Sequence, residues 1–305
     1  RILTARMAEP VQLIHDPAEL DCAHGCAFVP TMGALHEGHA SLLRRARATG
    51  RPVCVSIFVN PTQFAPSEDL DRYPRTLDAD LTLAEAERVA FAFVPASSTV
   101  YPEGIAAANV AAASVSLPPV ATQPRLEDLC RPGHLAGVQL VVSRLFDLVR
   151  PAVAVFGEKD WQQLALVQAF VAHARTADPD RWPGLAILPH ATVREHDGLA
   201  LSSRNRYLPD ELRLQALGIP KALQIAHSAQ RPSTAERLMR ETLEAHGFEI
   251  EYAVVRDSET LLPVEDFGSP TRALIAARLS WPAGAGGVAG GSVRLIDNAP
   301  MTVWR

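Results

Sequence analysis

Short apolar runs alternate with stretches in which apolar residues recur every three or four positions, and this pattern fills the first two-thirds of the chain. The runs at 27–30, 53–59, 89–94 and 152–156 predict buried strands. Between them, 38–49 (closed by Gly50), 77–88 and 134–149 carry helical spacing. In the last of these, Val138, Val141, Val142, Leu145 and Leu148 form one apolar stripe. Strands alternating with helices predict an α/β domain, a parallel sheet with helices on both faces. From about residue 190 the texture changes. Helical stretches at 210–229, with a break expected at Pro220, and at 234–245 precede β segments at 249–255, 273–279 and 293–296. That order predicts a smaller α+β domain over 191–305, following a first domain over 1–190. The Gly- and Ala-rich segment 284–292 reads as a mobile hairpin loop. No internal repeat is visible.

Composition narrows the classes. A chain of 305 residues with 48% hydrophobic content can build a substantial core. A net charge of −5 gives no general nucleic-acid surface, and the local cluster Arg44, Arg45 and Arg47 reads as the solvated face of a helix. No apolar run is long enough to span a membrane and no signal peptide is evident, so a soluble, cytoplasmic protein is expected. The chain begins at Arg1, so its natural N-terminus is expected to be missing or processed. Its four cysteines, Cys22, Cys26, Cys54 and Cys130, lack zinc spacing and fit a reducing compartment. Cys22-Ala23-His24-Gly25-Cys26 is a weak metal candidate, and Cys54 reads as a small apolar filler within a strand.

The densest chemistry lies in Phe28-Val29-Pro30-Thr31-Met32-Gly33-Ala34-Leu35-His36-Glu37-Gly38-His39. An apolar run ends at Pro30, a glycine turn follows, and Leu42, Leu43 and Ala46 then recur at helical spacing. The segment therefore reads strand, turn, helix. Unpaired N–H groups at a helix start favour anions, which makes such a junction a phosphate site in α/β sheets. His36 and His39 share a helical face, and Gly38 leaves room for a ligand against the backbone. Three readings stand on this pattern alone: a nucleotide-phosphate site, two solvated histidines, or half of a metal site. The metalloprotease pattern His-Glu-x-x-His is not met.

Four further motifs fall at strand ends or in loops. Ser56-Ile57-Phe58-Val59-Asn60-Pro61-Thr62-Gln63-Phe64 leaves a strand for a polar turn, placing Asn60 and Gln63 at the ligand-binding edge of the sheet. Gln63 offers a donor and an acceptor to a substrate with hydroxyl and carboxylate groups; a turn-capping Asn and a solvated Gln are the plain alternative. Phe156-Gly157-Glu158-Lys159-Asp160-Trp161-Gln162-Gln163 sets Lys159 beside a glycine turn, with Asp160 as a helix cap or a site residue. Arg131-Pro132-Gly133-His134 is the third. Leu201-Ser202-Ser203-Arg204 offers two hydroxyls and a guanidinium to a polyphosphate.

Taken together, these segments resemble the pantoate–β-alanine ligase family. The resemblance runs from about Val29 to Asn298 through 30–39, 55–64 with Arg72-Tyr73-Pro74-Arg75-Thr76, 156–164, 197–207 and Arg294-Leu295-Ile296-Asp297-Asn298. It implies a Rossmann-like parallel sheet of the nucleotidylyltransferase type. His36-Glu37-Gly38-His39 stands as its HIGH motif and Leu201–Arg204 as its mobile KMSKS-like loop, carried by a C-terminal lid domain. The implied reaction joins pantoate to β-alanine with ATP, releasing AMP and pyrophosphate through a pantoyl adenylate, with Mg²⁺ carried by the ATP and no protein-bound metal. His39, His36 and Lys159 carry over as catalytic. Met32, Gly33, His36, His39, Gly157, Lys159, Asp160, Val193, Leu201, Ser202, Ser203 and Arg204 carry over as ATP contacts. Gln63, Gln163, Pro30, Asn60 and His134 carry over as substrate contacts, with Met32, Val141, Val142 and Phe156 as further walls around the gem-dimethyl group. A homodimer without nucleic-acid or membrane partners is implied.

The chain departs from the family pattern at Leu135, where a phenylalanine is usual after the Arg-Pro-Gly-His run, and at the longer segments 176–185 and 284–292. Rival readings are a different nucleotidyl transferase, a catalytically silent nucleotide-binding protein and a zinc hydrolase. The Gln63 and Gln163 segments oppose the first, and the complete phosphate-facing set opposes the second. A tRNA ligase is disfavoured by the acidic charge and the lack of an anticodon-binding extension.

Overall fold

The strands form two sheets, one parallel and one antiparallel. The computed structural model describes residues 10–64, 70, 73–281 and 291–301. In chain order its main elements are β1 (Gln12–Ile14), β2 (Ala27–Thr31), α1 (Glu37–Arg47), β3 (Val53–Ile57), α2 (Leu77–Ala86), β4 (Phe91–Phe93), α3 (Ser97–Val100), α4 (Ile105–Ala113), α5 (Glu127–Cys130), α6 (His134–Val149), β5 (Val153–Gly157), α7 (Trp161–Ala177) and β6 (Ala186–His190). Then follow α8 (Asp210–Ala216), α9 (Gly218–Ala226), α10 (Pro232–Ala245), β7 (Glu249–Asp257), β8 (Thr271–Trp281) and β9 (Gly291–Met301). Two compact units result. The first takes the chain up to Leu117 with Arg131–Gly157 and Leu166–His190; the second takes Pro118–Cys130, Glu158–Ala165 and everything from Ala191.

The first unit holds a six-stranded parallel sheet in the order β1-β4-β3-β2-β5-β6. Successive side chains of a strand face opposite sides. Ala27 and Val29 of β2 therefore join Leu43 and Ala46 of α1, Val53, Val55 and Ala84 in one core. Phe28 points the other way, edge-on to Phe146 of α6 at 6.3 Å. Phe146 also meets Phe156 and Trp182, at 6.4 and 5.5 Å, so the long 176–185 segment is built into this aromatic layer. Strand order reverses between β2 and β5, the position where open α/β sheets bind ligands. These strands pair only at Ala27–Val153 and Phe28–Ala154. The strands therefore part after Phe28, and Pro30 two residues on has no N–H with which to extend the ladder.

In the second unit the antiparallel sheet β7-β8-β9 buries both faces. Ala253, Val255, Ala273, Ile275 and Ala277 pack with Ile219, Leu223, Met239 and Leu243 of α9 and α10. The alternate residues Tyr252, Val254, Leu274 and Ala276 pack with Leu126. Arg294 reaches Glu127 at 2.6 and 3.0 Å and Glu251 at 2.7 Å, while the Tyr252 hydroxyl donates to Glu127 at 2.6 Å. Burial, then the adjoining Glu127, hold the Tyr252 phenol well above its usual range, so it remains a donor.

Several sequence expectations are corrected. The helical stretch 210–229 is two helices, and its break falls at Leu217 rather than Pro220. Pro220 sits in the first turn of α9, where a missing N–H costs nothing. Gly218 is the first residue of that helix, and a Cβ there would lie 2.7 Å from the His246 side chain. Helix α10 begins two residues earlier than expected, with Pro232 at its first position. Arg44 is not simply solvated: it pairs with Glu37 and, at 2.8 Å, with Glu87. The short strand β1 and helices α3 and α4 were not expected. Arg72 and most of 284–292 lie outside the described residues. No helix among the described residues is long and apolar enough to cross a membrane.

Candidate active site

The turn leaving β2 is shaped by unusual backbone. Gly33 and Ala34 both have positive φ, 82° and 51°, a region open to glycine and strained for alanine. A side chain 46 residues away holds it there. Asp80 of α2, 2% exposed, accepts from Ala34 N at 3.0 Å and Leu35 N at 2.7 Å, and from the Thr76 hydroxyl at 3.1 Å. A Cβ on Gly33 would stand 3.0 Å from Asp80 Oδ2, so the clasp also requires the glycine.

This turn delivers His36 as the N-cap of α1 and His39 to its first turn, with ring centroids 4.2 Å apart. Gly38 N donates to His36 Nδ1 at 3.1 Å, and His36 N donates to His39 Nδ1 at 3.3 Å. With Nδ1 accepting, each neutral imidazole carries its proton on Nε2. The reciprocal cap therefore turns both histidines into oriented N–H donors at a helix N-terminus, where anions are favoured. Nearby, Ser41 Oγ lies 2.6 Å from Nε2 of His190 at the end of β6, a contact no local motif announces.

The turn after β3 builds a second part of the first unit's site. Gln63 donates from Nε2 to Met32 Sδ at 3.0 Å and accepts at Oε1 from Asn60 at 3.1 Å. Asn60, 1% exposed, has its amide occupied: it donates also to the Gly137 carbonyl and accepts from Thr62 and from the Tyr101 hydroxyl at 2.7 Å. Burial pushes the Tyr101 phenol up to about 12, keeping it a donor. His134, also buried, bonds the Gln63 carbonyl through Nδ1 at 3.0 Å and meets Arg131 Nη1 at Nε2 at 2.9 Å. Since Arg131 only donates, the proton sits on Nδ1. Asn60 and His134 thus fix Gln63 in place. Gly137 permits the arrangement, because a Cβ there would lie 2.3 Å from the Thr62 carbonyl oxygen. Of the expected apolar walls, Val141, Val142 and Phe156 are buried, Pro30 and Met32 half-buried, and Leu135 is core.

In the second unit, Glu158–Asp160 form a single 3-10 turn with Lys159 Nζ 3.8 Å from Asp160. Asn298 donates to the carbonyls of both Glu158 and Lys159 at 2.9 Å. On α7, Gln162 is buried and bonded to the 120–128 segment, and Gln163 is half-buried. Val193 and Leu201 close a loop through a 2.9 Å backbone bond. Ser202 then caps a 3-10 turn beginning at Ser203, donated to by Arg204 N at 3.2 Å. Glu195 and Asp197 grip Arg213, each at 2.7 Å, and Asn205 donates to Glu195 at 2.8 Å. Gly157, the last residue of β5, has space beside it: a Cβ would meet only Leu42 at 4.0 Å.

A parallel sheet parted at its switch point, with a pair of imidazole donors on the helix that follows the parted strand, defines an α/β enzyme of the nucleotidylyltransferase type. The model of the pantoate-beta-alanine ligase family matches residues 6–300, and the chain belongs to that family. It is 45% identical to a pantothenate synthetase of Novosphingobium aromaticivorans, over 89% of this chain and 90% of that protein. A solved pantothenate synthetase from Thermus thermophilus superposes with a TM-score of 0.80 at 37% identity, covering 95% of this chain and 99% of its own. The pantoate-beta-alanine ligase of Francisella tularensis, solved with β,γ-ATP and β-alanine, gives a TM-score of 0.70 at 28% identity, covering 95% and 97%.

Proposed function

We propose that this chain condenses pantoate with β-alanine at the expense of ATP, releasing AMP and pyrophosphate. The observation that carries the reading is the pair of Nε2–H donors, His36 and His39, capped at the start of α1 beside the parting of β2 and β5. A pantoate carboxylate oxygen attacks the α-phosphorus of ATP. A P–O bond forms, the bond to the bridging oxygen breaks, and pyrophosphate leaves. Negative charge grows on that bridging oxygen and the departing phosphates, where preorganised donors lower the barrier most. His36 and His39 supply such donors, with Lys159, Ser202, Ser203 and Arg204 as further cationic and hydroxyl contacts. Met32, Gly33, Gly157, Asp160, Val193 and Leu201 contribute the remaining nucleotide contacts.

Gln63, held by Asn60 and His134, and Gln163 grip the hydroxyls and carboxylate of pantoate. The neutral amine of β-alanine then attacks the acyl carbon of the mixed anhydride. A C–N bond forms, the nitrogen loses a proton, and the C–O bond to AMP breaks. No covalent enzyme intermediate is required. Among the described residues no three His, Cys, Asp or Glu side chains form a metal site, and the phosphates of ATP supply the hard oxygen ligands that Mg²⁺ prefers. We therefore assign Mg²⁺ to the phosphate oxygens of ATP, where it neutralises charge. Closure of the second unit as a lid would shield the anhydride from water. A cytoplasmic homodimer completes the proposal from family likeness; sedimentation reads the subunit number.

The test is AMP and pantothenate formation with each substrate omitted in turn. The proposal expects AMP only when ATP, pantoate and β-alanine are all present, in a one-to-one ratio with pantothenate. AMP release independent of β-alanine, or ADP as the product, would contradict it.

A further inference from the structure

Asp297 and Asn298, neighbours on β9, are 2% and 3% exposed. Burying such polar side chains is costly unless their hydrogen bonds are made, and here the bonds run to two loops. Asn298 donates from Nδ2 to the carbonyls of Glu158 and Lys159, both at 2.9 Å, and accepts from Arg272 at Oδ1. Arg272 also reaches the Glu158 carboxylate at 3.0 Å and lies 3.4 Å over the Trp161 ring. The turn carrying Lys159 is thus held by both backbone and side chain.

Asp297 takes both ends of the Arg194 guanidinium, at 2.6 and 3.0 Å. Arg194 donates further to the Gly198 carbonyl at 3.0 Å and forms a β-bridge with Ala200. It therefore secures the base of the loop leading to Ser202, Ser203 and Arg204. The backbone N–H of Asn298 donates to Asp297 Oδ1 at 2.7 Å, tying the two supports together.

We propose that Asp297 and Asn298 are a positioning pair for the polyphosphate, setting the Lys159 turn and the Ser-Ser-Arg loop in one frame. The proposal rests on the reading of those two segments as phosphate contacts. A displacement of about 1 Å in a positioning group can cost on the order of 10²-fold in rate, so two supports on one rigid strand suit this role. Neither residue touches substrate; each acts through another.

Pantoate-dependent ATP–pyrophosphate exchange tests it in Asn298→Ala, Asn298→Asp, Asp297→Asn and Lys159→Ala, and in Lys159→Ala combined with each change at 298. Asn298→Asp keeps the acceptor facing Arg272 but removes both N–H donors. Each change at 298 is expected to lower kcat/KM for ATP about 10- to 100-fold, leaving KM for β-alanine, measured in the full reaction, within about twofold. In the Lys159→Ala background the same change is expected to cost under about threefold, because its effect passes through Lys159. Thr271→Val is the control: equally buried in β8, its hydroxyl has no hydrogen-bond partner, and exchange is expected to be unchanged. An undiminished loss at 298 when Lys159 is already alanine would overturn the proposal, as would near-normal ATP kinetics in folded Asn298→Asp. Should Asn298→Ala fail to fold, Asn298→Asp and its double variant decide. Absence of exchange in the unaltered protein would instead count against the assigned function.

Discussion

Two imidazoles whose Nδ1 atoms both accept backbone N–H groups carry their protons on Nε2, and the role proposed for His36 and His39 follows from that tautomer. In the proposed reaction they would serve as hydrogen-bond donors that strengthen as charge moves onto the phosphates, with no proton transfer required. His39→Ala is expected to lower the exchange rate on the order of 10²- to 10³-fold, and an exchange rate near that of the unaltered protein would refute the role. The histidines were legible in the sequence because their spacing is local. Asp80 was not: nothing in Thr76-Leu77-Asp78-Ala79-Asp80 tells which carboxylate turns inward, and its two backbone partners lie 45 and 46 residues away. Asp80→Asn would set an amide donor against one of two buried N–H groups. It is expected to cost about 2–3 kcal/mol in urea unfolding and to lower activity by loosening the strained turn. Unchanged stability would show that the turn holds itself.

Elements set where Gln63 can stand. Helix α6 comes close enough to the 61–63 turn only because position 137 has no Cβ. Gly137→Ala would drive a methyl group into backbone that cannot swing aside. The expected cost is about 1–3 kcal/mol, with a raised KM for pantoate and a smaller change for ATP; equal effects on both would break the link between this packing and Gln63. The extent of α6 is legible at 134–149 because its stripe spans three turns of the helix. Strand β1 has only three residues, too few for a period, and was missed. The break before α9 was displaced for a different reason. Proline was read as a breaker, whereas at Pro220 it occupies a first turn, and the tight fit of Gly218 against His246 leaves no signature in the local sequence.

At the scale of the whole molecule, the division into units could be read only coarsely. A change of texture near residue 190 was visible, but Glu127 belongs with Tyr252 and Arg294, 125 and 167 residues further on. Such pairings are made by the fold alone. Two carboxyls make the second unit sensitive to acid. Burial alone would raise Asp197, but the Arg213 guanidinium and the Leu199 N–H outweigh it; Asp257 is lowered by the Thr260 N–H and its neighbours. Both carboxyls therefore titrate below the ordinary 3.8. A carboxyl depressed in the folded state binds fewer protons there than in the unfolded chain. Its stabilisation is complete above 3.8 and fades as pH falls through the folded values. Thermal midpoints are expected to drop below about pH 4, less steeply in Asp257→Asn; a slope identical in that variant would contradict the assignment.

The central claim, that the pantoate carboxylate attacks the α-phosphorus of ATP, has a direct test in oxygen transfer. Pantoate labelled with ¹⁸O in its carboxyl group is turned over with ATP and β-alanine, and the nucleotide product is analysed by mass spectrometry. The account predicts one labelled oxygen in AMP and none in pyrophosphate. Unlabelled AMP, or label in inorganic phosphate beside ADP, would contradict it.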